Sequence, residues 1–446
     1  MFEAMDRSVR GFGDWGLPRL AFVGIVLLFT GIGDEYPADG PALWYQKQVL
    51  GIPLHYLVFA FAVALLLPYV TARPPFRVLP ALRATHLGLW TLLTWVTVII
   101  ALGRGLVGAV SEPFVDWRNF VVLAITAMIT ARWLAQQPWR GLVVTDLAIA
   151  YGVVATFYLV FWLFGGGREL YDVRVPLFNG HRLALVGFGT LVGADAWLAG
   201  RQSFTRIYSA ALGWTAVAGA LLILLSFRRS VWGFLVAGLV VAAYRAVRMK
   251  RLRLSRAMTV GVGLVAVIGA LSLTYGAESW SGRIESLLPS ADNEYSNTNR
   301  DHFNDLRDAF AAVAEQPVFG VGIGTLYKTN LISDWKVESF DVHNAFLHVW
   351  LKFGLLGLIT FVGFHVALIR SLFKLDRVAT VGAGGAAAFL LAEQVINLIQ
   401  TWPYAVMQLT IHRGVVLAVL LVHYGYLADP TALATTSRRA ALISRR

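Results

Sequence analysis

Apolar runs of roughly 17–25 residues recur along the whole chain, and as helices each is long enough to cross about 30 Å of hydrocarbon. Inside hydrocarbon the backbone must satisfy its own polar groups, which leaves helices or a closed β-barrel. A barrel needs alternating segments of about ten residues, and the sequence has none. Charged residues make up 14% of the chain, against about 25% in a soluble domain. The sequence therefore predicts an all-α integral membrane protein. Its twelve spans fall at about 18–33, 54–71, 87–103, 118–134, 141–164, 183–200, 207–227, 230–244, 257–275, 344–369, 379–401 and 411–428. The first run ends in "FTGIGDEY" with no small-residue cleavage pattern, and is read as a retained helix.

The connectors sort into two kinds. "RPPFRVLPALR" (73–83), "RWLAQQPWR" (132–140), "RQSFTR" (201–206), "RAVRMKRLRLSR" (245–256), "RSLFKLDR" (370–377) and the tail ending in Arg445 and Arg446 are basic. "GDEYPADG" (33–40), residues 104–118, residues 165–182 and the long stretch 276–342 are mixed or acidic, the last with eleven acidic residues against five basic. The two kinds alternate along the chain. The excess of Lys and Arg on cytoplasmic loops then puts both termini in the cytoplasm and the second kind outside. The net charge of +12 follows from this topology, and nucleic acid is not expected as a partner. Four stretches result: 1–275 with nine spans, 276–343 as an outer loop, 344–428 with three spans, and 429–446 as a basic cytoplasmic tail. With no cysteine, disulfides and thiolate metal sites are excluded.

The outer loop carries its own signals. In "NRDHFNDLRDAFAAVAEQP", Phe303, Leu306, Phe310 and Val313 form an i, i+3, i+7, i+10 stripe, which predicts an amphipathic helix on the membrane surface or on the bundle. Pro317 ends it, and "GVGIG" (320–324) supplies glycines for a tight turn or a close backbone approach. The loop is either a lid without chemistry or part of a site.

Arginines are unexpected on an outer face, yet Arg168, Arg174, Arg182, Arg228, Arg229, Arg300 and Arg307 all fall there. A guanidinium is a permanently charged planar fork suited to phosphate oxygens. Gathered together, these groups would hold a lipid-linked pyrophosphate; separately, each can meet a headgroup phosphate or a surface carboxylate. His343 and Asn344 open the tenth span. There His343 can act as a general base near neutral pH, beside the positive end of the helix dipole. The pair can equally be an Asn cap beside an interfacial histidine. Lys352 and Glu393 are placed deeper: Lys352 either snorkels to the interface or pairs with Glu393, and Glu393 can instead cluster with Gln394 and Asn397. The acidic "DNE" (292–294) and "DE" (34–35) are ordinary for outer loops, so no metal is expected. "GVGIG" follows no strand and opens no nucleotide-binding unit, so no nucleotide cofactor is expected either.

Three segments in order, "RRSVWGFLVAGLVV", "PVFGVGIGTLY" and "VHNAFLHVWLKFGLLG", resemble the O-antigen ligase and polymerase superfamily. Its shared region carries an Arg-Gly/Ser helix start, a Pro-x-x-Gly-x-Gly turn and a His-Asn-x-x-Leu helix start, the last matched by His343, Asn344 and Leu347. "SNTNRDHF" (296–303) resembles the family's arginine-bearing stretch and gives that role to Arg300. "RVPLFNGHRLA" (174–184) is similar to an Arg…Phe-x-Asn-Pro-Asn segment, with Gly180 and His181 in place of Pro-Asn. Arg228 stands where the family often has Ser. The resemblance spans roughly residues 170–360.

The resemblance implies a GT-C-like fold and metal-independent glycosyl transfer on the periplasmic side of the bacterial inner membrane, from a glycan on undecaprenyl pyrophosphate. Ligases deliver the polymer to the lipid A core, and polymerases deliver it to a second lipid-linked repeat. It also implies catalytic roles for His343, Arg229 and Arg300, with Arg174, Arg182, Arg228, Arg307 and Asn344 as substrate contacts. Membrane lipids are the remaining partners. The single large outer loop and the basic charge favour ligase, with polymerase as the alternative. A twelve-helix transporter is the rival of another class, against which stand the lack of a repeat between halves and the gathering of polar residues at one rim.

Overall fold

The computed structural model describes residues 16–29, 48–49, 52–53, 86–107, 113–134, 142–164, 180–198, 205–226, 229–248, 297–332, 335–339, 342–375, 383–397 and 412–419. Helices α1 (Leu17–Phe29), α2 (Leu87–Val107), α3 (Pro113–Leu134), α4 (Val143–Leu163), α5 (Gly180–Leu198), α6 (Arg206–Leu225) and α7 (Arg229–Arg248) come first. A two-residue antiparallel pair, β1 (Gln48–Val49) and β2 (Ile52–Pro53), lies between α1 and α2. Then follow α8 (Asn297–Glu315), the hairpin β3 (Tyr327–Ile332) and β4 (Trp335–Ser339), α9 (Ala345–Leu375), α10 (Ala383–Asn397) and the helical stretch α11 (412–419).

Helices stand at ten of the twelve expected spans; the spans at 54–71 and 257–275 lie outside the described residues. Among the described residues four helices are long and apolar enough to cross a membrane: Gly88–Val107, Val143–Val160, Arg206–Leu225 and Ala345–Ser371. Shorter apolar helices accompany them at Leu17–Leu27, Val121–Ala131, Leu183–Trp197, Val231–Tyr244 and Gly384–Glu393. The architecture is that of a mostly helical, multi-pass membrane protein.

Small residues set the packing, as is usual where helices meet without water to drive them together. α4, α5 and α6 form one group, and α10 and α7 close on α5. A Cβ on Gly193 would stand 2.5 Å from the Leu212 carbonyl oxygen, and one on Gly385 2.3 Å from the Cα of Val192. The contacts also fix direction. Gly187 faces Phe234 and Gly238 faces Leu191, so α5 and α7 run parallel at a constant offset. α9 runs antiparallel to α2, with Gly363 against Trp90, and Thr360 near Thr94 and Thr97.

Two ion pairs are buried in this bundle. Arg19 donates from Nε and Nη2 to the two carboxylate oxygens of Asp146, both at 2.5 Å, and the Tyr208 hydroxyl donates to Asp146 at 2.6 Å. Glu393 pairs with Arg413 at 3.0 Å. The sequence offered Lys352 as its partner, but the Lys352 ammonium instead donates to the Thr325 carbonyl. Arg413 opens a helix that the charge pattern does not connect to Glu393, whereas Lys352 has a nearer acceptor in the turn laid across its own helix.

Candidate active site at the start of α9

α8 forms because "DHFNDLRDAFAAVAE" holds helix-favouring residues without Gly or Pro until Pro317. Its buried face keeps Leu306 and Val313 of the expected stripe but turns the two phenylalanines away from it. Asp305, Ala309 and Val313 are buried, at spacings of four, and pack on β3 and α9. Phe303 and Phe310 are 68% and 57% exposed. The reason is local: Ala309 lets the helix approach closely, and Asp305 finds its hydrogen-bond donors on that side. Phe310 meets Trp350 edge-on, ring centroids 5.9 Å apart.

The turn after α8 is built into α9. At Gly354 the helix breaks, with φ 70° and ψ −173°. In an unbroken helix the Leu355 N–H would bond to the Leu351 carbonyl. Here it bonds to the Pro317 carbonyl at 2.9 Å, while the carbonyls of Leu351 and Lys352 accept from the N–H groups of Val321 (2.7 Å) and Gly322 (3.1 Å). The Ile323 N–H bonds to the Ala101 carbonyl of α2 at 3.2 Å. Gly320, Gly322 and Gly324 all have positive φ, and Gly105 of α2 comes so close that a Cβ would lie 2.2 Å from the Ile323 carbonyl oxygen. The expected close backbone approach of "GVGIG" is thus an insertion of the turn between α2 and α9. The hairpin β3–β4, absent from the sequence reading, follows with Tyr327 opposite Ser339 and Thr329 opposite Val337.

These elements converge on His343. Asn344 is the N-cap of α9, its side-chain oxygen accepting from the Leu347 N–H at 2.9 Å. Just before it, the backbone N–H of His343 donates to Asp305 Oδ2 at 2.9 Å, and His343 Nδ1 lies 3.0 Å from the same oxygen. The Tyr327 hydroxyl donates to Asp305 Oδ1 at 2.5 Å. Asp305 is fully buried, whereas the His343 side chain keeps 31% of its surface exposed. Burial alone would push the Asp305 carboxyl up. The hydrogen bonds from the His343 ring, the Tyr327 hydroxyl and the His343 backbone outweigh it, and its pKa is held below the ordinary 3.8.

Asp305 and Tyr327 were missed in the sequence, where Asp305 counted only as one acid of an acidic loop. The signal that could have found it is the alternative stripe Asp305, Ala309, Ala312, Val313, in which a carboxylate interrupts a face of small apolar residues.

The arginines divide by element. Arg229 is the first residue of α7 and Arg182 lies in the first turn of α5. The offset set by Gly187–Phe234 and Leu191–Gly238 brings these two positions to the same level on neighbouring parallel helices. Arg300 lies in the first turn of α8, five residues before Asp305, about 7.5 Å along the helix axis. Arg307 is 71% exposed, 3.7 Å from Asp308, and two residues on from Asp305 it leaves the helix on another side. Arg174 and Arg228 lie outside the described residues. His348 and Lys352 are buried in α9. Among the described residues no group of three or more His, Asp or Glu is placed to hold a metal ion.

A family model described as O-antigen ligase matches residues 214–362. This stretch runs from within α6 into α9 and holds Arg229, Arg300, Asp305, Tyr327 and His343. No curated protein matches the chain.

Proposed function

We infer that this chain, whose residues 214–362 match a family model described as O-antigen ligase, is an O-antigen ligase. It transfers a polysaccharide from undecaprenyl pyrophosphate to a sugar hydroxyl of the lipid A core, on the periplasmic side of the inner membrane, with both termini cytoplasmic. The observation that carries the reading is His343: a partly exposed imidazole at the lip of a membrane-crossing helix, anchored on a buried carboxylate. A histidine so held can take a proton from an incoming hydroxyl, a contribution of about 10²–10⁴-fold.

Arg229 and Arg300, supported by Arg174, Arg182, Arg228 and Arg307, supply fixed positive charge for the departing pyrophosphate, whose charge grows as the sugar–oxygen bond breaks. In this reading Arg182 and Arg229, level on parallel helices, form one arm of that cradle and Arg300 the other. Asn344 sets the start of α9 and with it the backbone of His343. A single displacement from the face opposite the leaving group inverts the anomeric centre. No metal enters the step.

The test is transfer from purified donor lipid by His343→Ala and Arg229→Ala. A drop of at least 10²-fold is expected for each, and turnover near wild type removes that residue from the mechanism. The polymerase reading shares every one of these residues. Surface polysaccharide from a deletion strain separates the two: full-length chains stranded on carrier lipid mean ligase, and single repeats on the core mean polymerase.

A further inference from the structure

We propose that Asp305, held in turn by Tyr327, is the positioning residue that makes His343 a base at one defined atom, Nε2. The proposal rests on the glycosyl-transfer reading of His343 given above and adds to it an oriented relay, Tyr327–Asp305–His343, assembled from β3, α8 and the turn before α9.

The tautomer follows from the hydrogen bonds. Asp305 Oδ2 receives the backbone N–H of His343 at 2.9 Å. A backbone N–H can only donate, so this oxygen is an acceptor. The ring nitrogen Nδ1 stands 3.0 Å from the same oxygen. A lone pair there would face a lone pair, so Nδ1 carries the hydrogen and the neutral ring holds its basic lone pair on Nε2. The second carboxylate oxygen is taken by the Tyr327 hydroxyl at 2.5 Å, which stops the carboxylate from turning about its own axis. Burial runs in the useful direction, from a fully enclosed Asp305 to an imidazole side chain that keeps 31% of its surface exposed.

The step balances without a further reagent. The acceptor hydroxyl gives its proton to Nε2 as its oxygen bonds to the anomeric carbon. The bond from that carbon to the phosphate oxygen breaks, and its electron pair leaves on the pyrophosphate. His343 is then an imidazolium beside an ionised carboxylate, a pairing that lowers the energy of the charge formed in the step. The proton afterwards passes to solvent. Asp305 itself stays ionised throughout and touches no substrate.

The alternative is that Asp305 only pins the chain entering α9. The two roles separate in the full-length protein in lipid nanodiscs. Asp305→Asn keeps the size and an acceptor for the His343 backbone N–H but removes the charge. The expected result is a fall in kcat of about 10²–10⁴-fold with the KM for donor lipid changed by no more than a few-fold, and partial rescue in Asp305→Glu. A second readout needs no variant of Asp305: nitrogen-15 NMR of histidine-labelled native protein at pH 9, with His343 assigned by the signal lost in His343→Gln. A hydrogen on Nδ1 is expected, and a hydrogen on Nε2 overturns the proposal whatever the variants do. If His343→Ala abolishes transfer while Asp305→Asn keeps the native kcat, the relay is wrong and the glycosyl-transfer reading survives. If His343→Ala itself retains full transfer, that reading falls and takes the relay's purpose with it.

Discussion

Gly354→Ala is the substitution on which the construction of this site can be judged most sharply. Gly354 has φ 70° and ψ −173°, a region open in practice to glycine alone, where another residue bears about 1–3 kcal/mol of strain. A methyl group there would also stand 2.2 Å from the Val318 carbonyl oxygen and 2.5 Å from the Phe319 carbonyl carbon. Neither atom is the end of a flexible side chain, so the backbone of the inserted turn must back away. Its three hydrogen bonds to the broken helix, Leu355 to Pro317, Val321 to Leu351 and Gly322 to Lys352, then lengthen together. At about 0.5–1.5 kcal/mol each, their loss added to the strain gives a local cost of about 3–7 kcal/mol. Gly103→Ala in α2 is the control, because a Cβ there meets nothing within 4 Å and helix propensity favours alanine by about 1 kcal/mol. The assay is hydrogen exchange of the amides of 320–323 together with thermal unfolding in one detergent. Gly354→Ala should expose those amides and lower the melting temperature, and Gly103→Ala should do neither. Protection of Val321 and Gly322 unchanged in Gly354→Ala would refute the insertion of the turn into α9.

Asp305 predicts an acid-side loss. Its folded pKa lies below 3.8, so its stabilisation is fully present above the unfolded value and disappears as the pH falls through the folded one. Asp305→Asn should flatten that loss in hydrogen exchange of α8 and β3 between pH 6 and 3, and equal acid sensitivity of both proteins would contradict the assignment. A double-mutant cycle between Glu393 and Arg413 should give a coupling of about 1–3 kcal/mol in detergent unfolding, while Glu393 and Lys352 should be additive within about 0.5 kcal/mol; a reversed result would restore the pairing suggested by sequence. The exposed aromatic face of α8 is expected to lie against the outer leaflet. Because the chain has no cysteine, spin labels at Phe303→Cys and Phe310→Cys can be read directly, with oxygen contact exceeding contact with a water-soluble nickel reagent. The opposite order would put that face in water.

What the sequence made legible is what depends on neighbours along the chain. Runs predicted at 141–164 and 207–227 appear as Val143–Leu163 and Arg206–Leu225, because burial in a bundle and long apolar stretches leave no competing structure. The Asn344 cap was readable too, as an amide directly ahead of an apolar run. Gly354 was not. In "WLKFGLLG" the apolar pattern continues through the break, and what stabilises the break is a carbonyl from Pro317 and two N–H donors far upstream. The hairpin was hidden for a related reason: "YKTNLISDWKVES" offers β-branched and aromatic residues on both arms of a short turn, but it lies in a loop whose one periodic stretch is helical.

Asp305 is the most instructive of these, because its chemistry was visible and its direction was not. The expected stripe used the largest apolar residues of α8 as the buried face, the rule for a helix that packs against a soluble core. At a membrane boundary that rule loses its force, since Phe303 and Phe310 can be turned outward without facing water. The inner face is then chosen by fit and by hydrogen bonding: alanine where α8 touches β3 and α9, and a carboxylate where Tyr327 and His343 present three donors. The break at Gly354 makes this arrangement rigid. It ties the chain leading into β3 to α9 at Leu351 and Lys352, while the N-cap ties the same helix at Asn344. Tyr327 and His343, sixteen residues apart in sequence, are thereby both referred to the first turns of one helix, and Asp305 is held between them. A stretch of sixty-eight residues (276–343) can in this way deliver a carboxylate and an imidazole to a separation of 3.0 Å.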